Sequence, residues 1–171
     1  MTVHESSLRR KLTALRSAFP STTAQCLEDW LVDVANARGA RVIVRPVPPP
    51  VDFAGPPVAR LSNEELVAGI CQLQCLDRPQ MLRLAAQLIS RGTVEPARLC
   101  LLAKQERIGG VLAALAREAL RVEPQHVVWR MLLNEFQREP PLRDVLLHWT
   151  RLAEPLMRLH APNAQRWKLA A

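Results

Sequence analysis

Tyrosine is absent from the chain, and the few Trp and Phe residues bring the aromatic share to only 4%. A core must therefore come from Leu, Val and Ala, which suit packed helices, and few polar aromatic tips remain for recognising a ligand. The six glycines are dispersed: none precedes a Lys-Ser or Lys-Thr pair and none frames a serine, which excludes a phosphate loop and a nucleophile elbow. His4, His126, His148 and His160 are scattered and form no His-Glu-x-x-His arrangement. No uncharged apolar run approaches the roughly 20 residues needed to span a bilayer. The start of the chain runs from His4-Glu5 into Arg9-Arg10-Lys11, without the apolar core of a signal peptide. Cys26, Cys71, Cys75 and Cys100 lie within helical apolar patterns, outside any loop-rich disulfide framework. Together these absences predict a soluble, cytoplasmic protein with reduced thiols, no membrane role, no cofactor and no catalytic residue.

What is present is helix punctuation. Leu61-Ser62-Asn63-Glu64-Glu65-Leu66 and Leu76-Asp77-Arg78-Pro79-Gln80-Met81 share one grammar. An apolar residue precedes a capping Ser or Asp, an acid or amide follows three residues later, and a second apolar residue comes next, which is a capping box with a hydrophobic staple. After these openings the spacing predicts helices at about 63–75, 78–91, 94–105, 108–121, 124–137 and 142–160, joined by short connections. Gly92 reads as a C-terminal cap, Gly109-Gly110 as a loosened helix start, Pro140-Pro141 as a break and Pro155 as a kink.

Before this array, Leu8, Leu12, Leu15 and Phe19 recur at helical spacing with Arg9, Arg10, Lys11 and Arg16 on the other faces. Pro20 stops that helix, and a second opens at Thr22 and Gln25 and ends near Gly39, so the two form a hairpin. Residues 41–45 alternate in the manner of an edge strand, and Pro46 to Pro57 hold six of the fourteen prolines, which describes an extended, semi-rigid spacer. The expected fold is all-α, a short-loop bundle or short α-solenoid. Its divisions are a basic hairpin at 1–39, a proline-rich spacer at 40–60, a six-helix array at 61–160 and a basic tail at 161–171.

From Ala119 to Trp149 the spacing resembles a degenerate tetratricopeptide repeat. Ala119 and Pro124 match the small residue and proline that close one unit, while Trp129, Leu132, Phe136 and Trp149 match large positions of the next. The match departs at Leu133, where the family carries a small residue, and its proline-to-Trp spacing is one residue short. The resemblance implies a helical groove for peptides or partner proteins, without catalysis.

Few residues carry recognisable chemistry. Cys71 and Cys75 stack on one helix face, but no second ligand pair accompanies them, so they read as core. Glu64-Glu65 and Glu28-Asp29 are adjacent and point to different faces. The net charge of +7 is concentrated at the two ends: residues 61–137 hold nine basic and eight acidic groups and are nearly neutral.

The leading expectation is a non-enzymatic adaptor or accessory subunit of a bacterial cytoplasmic complex. It would touch protein partners through the extended Val42 and Val44 and the apolar Trp129, Phe136 and Trp149, with self-association as a further use of those faces. The alternative is a nucleic-acid-associated subunit that follows a phosphate backbone with Arg9, Arg10, Lys11, Arg16, Arg41, Arg45, Arg166 and Lys168.

Overall fold

A computed structural model describes residues 6–18, 27–40, 61–73, 79–121 and 123–140. Among them are seven helices and no strand: α1 (Ser7–Ala18), α2 (Leu27–Ala37), α3 (Asn63–Leu73), α4 (Pro79–Ser90), α5 (Pro96–Glu106), α6 (Gly109–Leu120) and α7 (Val127–Phe136). Among the described residues the fold is all-α, and the connections from α4 to α7 are short, as the periodicity predicts. Leu76, Asp77 and Arg78 of the second capping box, the strand-like run, the proline spacer, the 142–160 helix and the basic tail lie outside the described residues.

Each helix is built from signals the sequence carries locally. Leu8, Leu12 and Leu15 bury one stripe of α1 while Arg9, Arg10 and Arg16 stay exposed, and the Ser6 hydroxyl accepts the Arg9 N–H at 3.1 Å as the N-cap. At α3 the capping box closes in both directions. Ser62 Oγ accepts the Glu65 N–H at 3.2 Å and Glu65 Oε2 accepts the Ser62 N–H at 2.8 Å, with the staple residues Leu61 and Leu66 both buried.

Three helices end in one way. The last turn is closed by a pair of backbone bonds, for example Ala40 N–H to Ala35 O at 2.9 Å with Gly39 N–H to Asn36 O at 2.9 Å, which is a Schellman motif with a left-handed residue beyond the helix. Gly39 (φ +100°) and Gly92 (φ +68°) fill that place after α2 and α4, whereas Arg107 (φ 57°) fills it after α5. Glycine takes this conformation without a Cβ penalty and arginine does not.

The helices share one hydrophobic core. It runs from Leu8, Leu12 and Leu15 of α1 and Trp30 and Leu31 of α2, through α3 to α6, to Trp129, Leu132 and Phe136 of α7. α3 stands at the centre, touching α1, α2, α4 and α5, and α7 closes the far end against α4, α5 and α6. The N-terminal helices thus pack on the array, while the stretch that joins them to it is not among the described residues. Polar side chains knit the same junction. Arg38 donates to Asn63 Oδ1 at 2.9 Å and to the Leu61 carbonyl at 2.6 Å, and Asn63 donates to the Thr93 carbonyl at 2.6 Å.

Two details differ from the sequence reading. α7 starts at Val127 instead of 124, because Pro124 sits in a turn closed by the His126 N–H on Glu123 O at 3.0 Å and His126 takes the cap. Gly109 is a packing position and not a loosened helix start: a Cβ there would stand 2.5 Å from Cδ1 of the buried Phe136 ring. Gly109→Ala is therefore expected to destabilise the protein by about 1–3 kcal/mol through overpacking, although alanine is the better helix former. A urea midpoint equal to or above wild type would contradict this.

Candidate functional site

Three buried carboxylates, Glu64, Glu65 and Glu106, join helices to one another. The Glu64 carboxylate, on α3, accepts the Glu95 N–H at 2.7 Å and so caps the start of α5, whose own Glu95 side chain makes no cap bond. Burial works against ionisation of Glu64, but the Glu95 N–H, the Ser62 hydroxyl, its own N–H and the charge of Arg98 outweigh it. They hold its carboxyl below the ordinary 4.5. Glu65 combines its capping-box role with an ion pair to Lys11 of α1, Nζ to Oε1 at 2.6 Å. Glu106, its side chain fully enclosed, meets Arg9 Nε at 3.5 Å and accepts from Gln72 Nε2 at 2.9 Å.

A lowered carboxyl value has a definite sign in stability. The Glu64 contribution is complete above its unfolded value of 4.5 and is lost as pH falls through the lower folded value. Glu64→Gln is expected to cost about 1 kcal/mol at pH 7, the difference between a charge-assisted and a neutral hydrogen bond. It should also flatten the decline of stability on acidification below pH 4.5. Denaturant midpoints that fall equally with pH in both proteins would refute this assignment.

At the far end α7 is clamped to the last residue of α4. His126 Nδ1 accepts the Trp129 N–H at 3.4 Å as the N-cap, which assigns the proton to Nε2, and Nε2 in turn donates to the Ser90 carbonyl at 3.1 Å. Trp129 Nε1 donates to Ser90 Oγ at 2.9 Å. One serine therefore receives both polar tips of the α7 entrance.

The residues singled out from the sequence fall into three groups. Trp129 and Phe136 are 0% and 2% exposed and belong to the core, where they seat α7 and present no surface to a partner. Of the basic residues, Lys11 and Arg9 are paired with Glu65 and Glu106, Arg16 lies 3.9 Å from Glu28, and Arg10 is exposed. Val42, Val44, Trp149, Arg41, Arg45, Arg166 and Lys168 lie outside the described residues. Cys71 and Cys100 are buried thiols, neither of them in a disulfide. Burial and the Glu135 charge push the Cys100 thiol above its ordinary 9.0 against the pull of Lys104, so it stays protonated at neutral pH. Among the described residues no group of three or more His, Cys, Asp or Glu is placed to hold a metal ion, and no helix is long and apolar enough to cross a membrane.

Among the described residues the surface offers one apolar feature. Leu101 on α5 and Val127 and Met131 on α7 are the large hydrophobic side chains left exposed, at 58%, 76% and 36%. α5 and α7 touch, and Lys104 of one pairs with Glu135 of the other. Leu101 and Met131 each lie one turn before that ion pair, and Val127 one turn before Met131, so the three share one face of the helix pair. The sequence groups Met131 with Trp129, Leu132 and Phe136 and gives no separate sign of Leu101 and Val127, because α7 carries apolar residues on two sides. Val127 and Met131 are four apart, whereas Trp129, Leu132 and Phe136 follow at three and four on the buried side. No family model matches the chain, and neither a curated protein nor a solved structure matches it.

Proposed function

We propose that this protein is a non-enzymatic interaction module, an adaptor or accessory subunit that docks a protein partner on the α5–α7 face. The observation that carries the reading is the exposed stripe of Leu101, Val127 and Met131 on two adjoining helices. Exposed aliphatic side chains that adjoin on two neighbouring helices make a patch that a complementary surface can cover. The roles of the polar groups agree with it: Glu64, Glu65, Glu106 and His126 are engaged in capping and joining helices. The tetratricopeptide-like spacing fits the same use, with Ala119, Trp129, Leu132 and Phe136 all at buried positions.

The nucleic-acid alternative draws less support, because Lys11 and Arg9 of the basic helix face carboxylates of the protein itself. The test is affinity purification from the native host with wild type and a Leu101→Ser/Met131→Ser double variant, both checked for equal helicity. The reading expects proteins that wild type retains and the variant loses. Equal retention by both, or strong binding to DNA or RNA at low salt that the Ser variant leaves unchanged, would set it aside.

A further inference from the structure

The charges around the stripe say what kind of partner fits it, a step that rests on the interaction reading above. With 3.6 residues per turn, Arg98 lies about 60° around α5 from Leu101, on the side of α3, whose Glu64 feels its charge. Arg130 lies about 100° around α7 from Met131, away from Glu135 and α5. Both are exposed. Lys104 and Glu135, between the two helices, neutralise one another. The apolar centre is therefore bordered on both outer sides by a guanidinium, with no net charge in the middle.

We propose that the α5–α7 face receives an acidic amphipathic helix of a partner protein, with apolar anchors against Leu101, Val127 and Met131 and carboxylates along both edges against Arg98 and Arg130. The apolar stripe supplies the contact, and the flanking cations select the sign of the partner. A planar guanidinium binds a carboxylate through two parallel hydrogen bonds, and a partner ammonium in its place would be repelled.

The test uses the full chain and two labelled helical peptides about 18 residues long, five turns. They share one Leu stripe and differ in whether Glu or Lys flanks it. Fluorescence anisotropy at low salt is expected to give the Glu peptide at least about tenfold tighter binding, with the margin shrinking at high salt. Arg98→Glu/Arg130→Glu should reverse the preference, and Leu101→Ser/Met131→Ser should abolish binding of both peptides. A photoreactive residue in place of Val127 should crosslink to the Glu peptide. A crosslink instead to a second copy, or to residues 142–160 of the same chain, would assign another occupant and overturn the proposal. Equal affinity for the two peptides would overturn the acidic partner while leaving the interaction face intact. Binding of neither peptide, together with equal retention of host proteins by wild type and the Ser variant, would bring down both readings.

Discussion

A chain truncated to residues 58–171 should fail to fold cooperatively as a monomer. The deletion removes Leu8, Leu12, Leu15, Leu27, Trp30, Leu31 and Val32 from the core. It also uncovers the surfaces of α3 and α4 on which α1 and α2 rest. At about 1.5–3 kcal/mol for each large side chain, the lost burial is on the order of 10 kcal/mol, as large as the whole stability of an ordinary domain. Electrostatics add to the loss. Glu65 and Glu106, both under 10% exposed, would lose Lys11 and Arg9 respectively, and a carboxylate robbed of its cation in a closed setting is a recognised cause of severe destabilisation. Loss of the cooperative urea transition, followed by circular dichroism, is the expected result. A truncated chain that melts with a wild-type midpoint would mean that α1 and α2 are an appendage after all.

Trp129→Ala should be the most damaging single substitution among the described positions, at about 3–5 kcal/mol. The indole is the largest fully enclosed side chain, so its removal leaves a cavity between α7 and α4 that neighbouring side chains fill only in part. The substitution also leaves Ser90 Oγ without the indole N–H at 2.9 Å. Trp129→Phe separates the two effects: it keeps most of the ring volume and removes the polar contact, and should cost about 1–2 kcal/mol. Both are read from denaturant midpoints by circular dichroism, since fluorescence would change with the probe itself. A cost for Trp129→Ala below about 1 kcal/mol would show that the site collapses freely, against the dense packing expected of such a core.

The parts of the fold that could be read from the sequence are those whose physics is local. A capping box closes within four residues, a Schellman turn is most often marked by one glycine, and an amphipathic stripe repeats every turn. Ser62–Glu65, Gly39, Gly92 and the Leu8/Leu12/Leu15 stripe all formed as their spacing indicated. What escaped depends on residues far apart in the chain. Gly109 looked like a helix loosener because Phe136, which needs its bare Cα, comes 27 positions later. Lys11 looked like a solvent-facing cation because Glu65 lies 54 residues away. Arg107 gave no signal at all, since nothing local marks an arginine for a left-handed backbone. On α7 the apolar pattern covered both sides of the helix, so periodicity could not decide which side is inside. The packing of Trp129 on Ser90 decided it, and with it the identity of the exposed stripe.

The Lys11–Glu65 pair also bears on how the chain is made. Protein synthesis runs from the N-terminus, so α1 leaves the ribosome with Leu8, Leu12 and Leu15 uncovered and must wait for the carboxylate 54 residues downstream. At roughly 5–20 residues per second that delay is several seconds. The Ser62–Glu65 ring, by contrast, joins residues three apart and depends on no distant partner. The N-terminal helix thus emerges before its partner: its apolar stripe, bordered by arginines, needs shelter until the later helix and the core around it arrive.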